Sequence, residues 1–388
     1  MKLTYKNTII SCFVGYVVQA IVNNFVPLLF LTFQNVYNIP LDKITLLVTF
    51  NFGIQLLTDM LAGKYINKVG YRFSIVLAHV LSALGLILLT ILPQIINPFA
   101  GILIAVMVYA VGGGLLEVLV SPIMESCPTD NKESAMSLLH SFYCWGHVGV
   151  VLLSTLFFYF AGIQNWRILA CIWAIIPIIN GILFSKTPIA SLLSENEQEM
   201  STKELFLNKT FWLLMLMMLC AGASEQSVSQ WSSTFAEQGL GISKTAGDLA
   251  GPMTFAILMG LSRALYGKFA EKINLQKFML ASSILCVISY LLTSLTTNPL
   301  LSLLGCAFTG LSVGIMWPGT FSTAAASLHT GGTTMFALLA LAGDLGCSAG
   351  PTLVGFVTNT TTGQLHTGIL AAVVFPLLLI FCILKKKI

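Results

Sequence analysis

The feature that most constrains this chain is a series of long apolar runs. Each is bounded by polar or Pro/Gly clusters such as YNIPLDK, GKYINKVGYR, CPTDNKES and TTNP. The runs fall at 9–33, 43–62, 73–96, 98–124, 135–161, 166–184, 210–235, 246–266, 277–296, 299–324, 332–357 and 366–384. A bilayer core is spanned by about 20 apolar residues in a helix. Inside lipid, every backbone N–H and C=O must be satisfied within the segment, so runs of this length can only be helices. Composition agrees, with 56% hydrophobic and 9% charged residues, where soluble domains carry about 25% charged. No soluble chain of this length could cover so much apolar surface. The fold class expected is an all-α membrane protein with twelve transmembrane helices, numbered one to twelve in chain order.

Lys and Arg placement sets the expected orientation. If the N-terminus is cytoplasmic, only Lys43, Arg167 and Lys244 of the 19 basic residues fall on the far side. The positive-inside rule then places both termini in the cytoplasm of a plasma-membrane protein. Lys2 and Lys6 precede the first run as in a signal peptide, but that run is too long for an h-region and no small-residue cleavage site follows it. It reads as the first membrane helix. The nine cysteines are scattered without a C-x-x-C pair and read as small apolar packers. One long polar stretch, SKTPIASLLSENEQEMSTKELFLNK, reads as a solvated linker with room for a short surface helix. The expected organisation is therefore an N-terminal half over 1–184, a cytoplasmic linker over 185–209 and a C-terminal half over 210–388.

The halves repeat. Gly63-Lys64-Tyr65-Ile66-Asn67-Lys68 after helix two has a copy, Gly267-Lys268-Phe269-Ala270-Glu271-Lys272, after helix eight. Thr32-Phe33 and Thr234-Phe235 close helices one and seven in the same way. Six helices repeated in one orientation are parallel repeats about an axis along the membrane normal, and binding is expected near the midplane. This layout resembles the major facilitator superfamily, whose loop between helices two and three reads G-x-x-x-D-[RK]-x-G-[RK]-[RK]. Here it appears as Gly63, Asn67, Lys68, Gly70, Tyr71 and Arg72, with Asn67 in place of the Asp and Asp59 one turn before Gly63. The resemblance implies gating roles for Asp59, Gly63, Lys68, Gly70 and Arg72.

Within that superfamily the chain is similar to the fucose permease branch of proton-linked sugar symporters. Three stretches carry the likeness. They are the glycine-rich helix four with Glu117, the Ser137–Phe142 segment of helix five with Gly146 and Gly149, and Glu225-Gln226 with Trp231 in helix seven followed by Arg263 in helix eight. A carboxylate that the branch can carry before the helix-one proline is replaced here by Asn23 and Asn24 before Pro27. Proton coupling, on this resemblance, falls on Glu117, Glu225 or Asp344. Arg263 joins the gating group.

The intramembrane polar residues point the same way on physical grounds. Glu117 stands mid-span in YAVGGGLLEVLVSPIMES. An acid there costs several kcal/mol, by an amount that is contested, and is a functional-site hypothesis by default. It reads either as a proton-binding group or as a structural acid paired to a neighbour. Glu225 is also near mid-depth. Gln226 and Gln230 share a face by their i,i+4 spacing, and Trp231 adjoins them. Amides and an acid beside a Trp ring suit a polyol; interhelical glue is the other reading.

Gln19, Asn23 and Pro27 lie on one stripe of helix one. Asn51, Gln55 and Asp59 lie on one of helix two, where gating or packing is expected. His140, Tyr143 and His147 follow on helix five, with His140 a candidate proton relay. Asp344 sits among glycines in helix eleven, and Trp317-Pro318 offers a second aromatic wall in helix ten. Trp166 and Trp212 are expected in the interfacial belt.

Two functions compete. The first is proton-coupled uptake of a sugar or similar polar solute, by rocker-switch alternating access. The second is export of drugs or metabolites by the same fold, for which fourteen methionines would supply an adaptable apolar surface. No metal cluster, phosphate loop or large extramembrane domain points to an enzyme, and no cofactor is expected. The basic residues line one membrane side rather than a nucleic-acid groove. The expected partners are solute, protons and the bilayer, with the protein a monomer.

Overall fold

The computed structural model describes residues 3–128, 132–189, 200–269, 273–328, 331–361 and 363–385. Among them, twelve helices are long and apolar enough to cross a membrane. In chain order they are Tyr5–Tyr37, Leu41–Ala62, Tyr71–Ile95, Pro98–Met124, Leu138–Ala161, Ile163–Lys186, Lys209–Gly239, Lys244–Tyr266, Leu275–Leu295, Pro299–Ala324, Leu338–Thr360 and Leu365–Lys385. Every apolar run of the sequence is one of these helices. Helix one begins four residues before its apolar run and ends four after it, because polar end residues continue the hydrogen-bond ladder past the hydrocarbon boundary. In the polar stretch before helix seven, Thr202–Leu207 forms a short helix. Glu204 accepts from the backbone N–H and hydroxyl of Ser201 at 2.7 and 2.8 Å, which holds its carboxyl below the usual range. The chain divides into two compact units, Met1–Ser194 and Glu195–Ile388.

In the first unit, helices three and four approach through small residues. A Cβ at Gly85 would lie 2.6 Å from the Tyr109 Cβ, and one at Gly112 would lie 2.6 Å from the Ala78 carbonyl oxygen. Helix one meets helix four at Gly15, whose Cβ would be 3.1 Å from Val120, and helix five at Gly146, whose Cβ would be 3.0 Å from Ala20. A buried polar knot ties helices one, three and six. Asn180 Nδ2 donates to the Ser11 carbonyl at 3.0 Å and meets His79 Nε2 at 2.8 Å, while His79 Nδ1 lies 2.7 Å from the Ile75 carbonyl. His79 is thus a satisfied core histidine, remote in role from the candidate relay.

In the second unit, helices seven and eleven touch almost backbone to backbone. A Cβ at Gly346 would lie 2.8 Å from the Leu219 carbonyl carbon and 2.9 Å from the Ala223 nitrogen. At Gly350 it would lie 2.6 Å from the Ala223 carbonyl oxygen. Gly346 and Gly350 are four apart, the small-xxx-small spacing that lets membrane helices approach closely. Gly346→Ala is expected to destabilise the fold by at least about 1–3 kcal/mol, the usual cost of overpacking. Gly53→Ala, where nothing lies within 4 Å of the added carbon, should be neutral or slightly stabilising. Comparing the two in detergent unfolding checks the seam; equal behaviour would mean the helices are free to separate.

Prolines break several helices by removing the N–H that would bond four residues back. Pro27 sits in a 3-10 turn, Val26–Leu29, in helix one. Pro252 lies within a π-helical turn, Leu249–Met253. Helix ten is interrupted at Gly314-Ile315, four residues before Pro318, and helix twelve at Ala372-Val373, before Pro376. The orphaned Gly314 carbonyl is taken by Arg263 Nε at 3.2 Å.

Candidate functional site

Helices one, two and four of the first unit bring the predicted polar residues together. Glu117 is half-buried, and its Oε2 accepts from Gln19 Nε2 at 3.1 Å. The same nitrogen donates to Gln55 Oε1 at 3.0 Å. Gln55 Nε2 in turn donates to Asn23 Oδ1 at 2.8 Å, and Asn51 Nδ2 donates to that oxygen at 3.3 Å. The stripe periodicity explains the geometry: Gln19 and Asn23 are one turn apart on helix one, as are Asn51 and Gln55 on helix two, so two pairs of amides interleave. Glycines on helix four make the space. A Cβ at Gly113 would press on Gln55 and Gln19, and one at Gly114 would lie 3.1 Å from Asp59 Oδ1. Asp59 therefore borders Glu117's helix one turn away.

Around this cluster, Tyr16 OH and Ser121 Oγ are 2.9 Å apart, and the His140 ring centroid is 5.3 Å from that of Tyr16. Asn24 Nδ2 donates to its own helix at the Ala20 carbonyl, 2.9 Å, and to Tyr143 OH at 3.4 Å. Tyr16 is a residue the sequence reading passed over, although it lies three before Gln19 on the same stripe. Gln55, read there as gating or packing, is the hub of the amide network.

The second unit holds a different arrangement. Glu225 Oε2 pairs with Arg263 at 3.5 Å. Gln226 Nε2 donates to Glu225 Oε1 at 3.1 Å, and Gln230 Nε2 donates to Gln226 Oε1 at 2.9 Å. The Gln226 and Gln230 face expected from the i,i+4 spacing is a hydrogen-bonded ladder ending on a carboxylate. Arg263 thus holds helix seven and caps the broken helix ten. Trp231 is fully buried, its indole N–H donating to the Pro351 carbonyl at 3.0 Å, so its edge is spent on helix eleven. The ring of Trp317 packs on Gly343, and Asp344 beside it is 3% exposed. A further ion pair, Lys244 Nζ to Asp248 Oδ2 at 3.1 Å, with Ser233 donating to Asp248, closes the start of helix eight. Its i,i+4 spacing was visible in the sequence.

Of the loop motif, Gly70 follows the helix that carries span two on to Val69 (Leu41–Val69), with φ 95°, a conformation that favours glycine. Arg72 Nη1 donates to the Phe184 and Ser185 carbonyls at 3.1 and 2.9 Å, where a cation suits a helix C-terminus. The side chains at Gly63, Asn67 and Lys68 lie outside the described residues, as does the loop copy at 270–272.

Twelve membrane helices, with acids and amides held inside the spans, define a multi-pass membrane transporter. The chain belongs to the Major Facilitator Superfamily, whose family model matches residues 9–351. No curated protein matches significantly. Among solved structures, it is similar to the E. coli fucose:proton symporter FucP, at 16% identity and TM-score 0.70, covering 99% of each chain. A second FucP structure, in the outward conformation, gives 15% identity and TM-score 0.69 over 99% of each chain. A bacterial homologue of the human lysosomal transporter Spinster, inward-facing and occupied, gives 14% identity and TM-score 0.77, over 97% of this chain and 95% of that one. At these identities the likeness is one of fold.

Proposed function

We propose that this transporter takes up a sugar or similar polar small solute together with protons, by rocker-switch alternating access, in a plasma membrane with both termini cytoplasmic. The observation that carries the reading is Glu117: a half-buried acid inside a membrane span, wired to amides from two other helices. Taking up a proton removes a charge that is costly at that depth, and coupling follows if the protonated and ionised forms bind solute differently. Asn23, Asn24, Tyr143, Gln226 and Gln230 supply donors and acceptors of the kind that hydroxyls need. Glu225, Asp344 and His140 are secondary proton sites in this scheme, with Glu225 normally matched by Arg263. Asp59 and Arg72 act in gating. FucP, similar in fold, is by its own description a fucose:proton symporter, which supports the choice of solute class.

The test uses the full chain in proteoliposomes with an internal pH dye. Hexoses and pentoses added outside are expected to drive proton influx, and lipophilic cations to be inert. Proton efflux driven by lipophilic cations, with no response to sugars, would replace this reading with that of an exporter.

A further inference from the structure

Gln19 is engaged through its donors alone. Its Nε2 serves both Glu117 Oε2 and Gln55 Oε1, while its own Oε1 is buried with no hydrogen-bond partner among the described residues. At the other end of the network, Asn51 donates to Asn23, while its Oδ1 is likewise buried and idle. Between them, Asn23 Oδ1 accepts twice, from Gln55 and from Asn51. The four amides form one connected chain in which both arms donate toward Asn23, and its idle atoms are both acceptors, one at each end.

A carboxamide swaps nitrogen for oxygen by a half-turn about its last bond, and that torsion is roughly two-fold. The present direction fits a Glu117 that accepts, because an ionised carboxylate has only acceptor sites. A protonated Glu117 carries an O–H donor, and the idle acceptor beside it is Gln19 Oε1. If Gln19 turns to accept, its oxygen faces Gln55 Oε1, so Gln55 must turn and donate to it. Gln55 then presents oxygen to Asn23, which must turn and donate. Asn23 then presents nitrogen to Asn51 Nδ2, so Asn51 must turn as well, and its idle Oδ1 accepts. Every link between side chains reverses, and both acceptors left over in one direction are used in the other; the long bond from Gln55 Nε2 to the Asn51 backbone carbonyl, 3.4 Å, is given up.

Fully satisfied networks rigidify. This one leaves a polar atom of Gln19 and one of Asn51 over in either direction, which keeps the two directions close in energy. Gly113 leaves the room: a Cβ there would sit 3.2 Å from Gln55 Oε1 and 3.3 Å from Gln19 Oε1, the two oxygens that must swing.

We propose that Gln19, Gln55, Asn23 and Asn51 form a reversible carboxamide chain whose direction reports whether Glu117 carries a proton. This rests on Glu117 being the proton-binding group. Reversal turns Asn23 from an acceptor of two bonds within the chain into a donor of two. Its oxygen then takes the place its nitrogen held, so the group it offers a bound hydroxyl is exchanged. These four are positioning residues: the proton moves only between water and Glu117. Within this unit, the titratable side chains carried by the helices around the chain include Tyr16 on helix one, Asp59 on helix two, and His140, Tyr143 and His147 on helix five, and none is a link of the chain.

The experiment is pH-titrated infrared difference spectroscopy of the full-length protein in liposomes, with and without nitrogen-15 in the Gln and Asn side chains; protons are the only probe. A carboxylic-acid band is expected, abolished in Glu117→Gln. Label-sensitive carboxamide bands should rise with the same midpoint. Gln55→Met cuts the chain, and should lose the Asn component while keeping the acid band. An acid band with no label-sensitive change in the wild-type protein would mean that the proton rests on the other carboxylate oxygen and the chain stays fixed; that overturns the relay and leaves Glu117 as the proton site. An Asn component that survives intact in Gln55→Met also overturns it. No acid band in the wild type overturns both.

Discussion

Arg263→Met is expected to destabilise the protein by about 3–5 kcal/mol, the usual cost of leaving one partner of a buried ion pair behind. Glu225 is 7% exposed and would keep only Gln226 among the donors placed on it here. The guanidinium also serves the Gly314 carbonyl, which Pro318 leaves without its helical donor, so a second buried group is orphaned by the same change. The double variant Arg263→Met with Glu225→Gln removes the stranded charge and should recover more than half of the loss, as replacements of whole buried pairs are often near neutral. Unfolding of the wild type, both singles and the double in one detergent gives the cycle. A single variant as stable as the wild type would show that Glu225 finds another cation or stays protonated.

The second large effect is on transport rather than stability. Glu117→Gln keeps the size of the side chain and an acceptor for Gln19, so the fold should persist with little change. Solute-driven proton influx should disappear altogether, while exchange of solute down its own gradient continues. The pH dependence of solute binding should go with it. Accumulation against a gradient that survives in Glu117→Gln would move the proton site elsewhere, with Asp344 the next acid to replace.

The lengths and number of the helices were legible because lipid allows no other solution for an apolar run. Glu117 was legible for a related reason, since an acid in that setting is conspicuous. The stripes of Gln19 with Asn23 and of Asn51 with Gln55 were readable as faces. That the two faces interlock was not, because the contact depends on the rotation and separation of helices one and two, which glycines on helix four help to set. Arg263 and Glu225 lie on different helices, and no local spacing relates them. The interruptions of helices ten and twelve follow from Pro318 and Pro376 by a four-residue rule. Trp231 shows the opposite failure: placed beside a polar ladder it suggested a sugar platform, yet its indole is turned into helix eleven, a matter of side-chain direction that the sequence does not encode.

The close seam between helices seven and eleven has a mechanical consequence. With peptide groups rather than side chains at the crossing, nothing soft lies between the two rods to shear or repack. They travel as one plank, and whatever flexes during a transport cycle within this unit must do so at the proline joints instead.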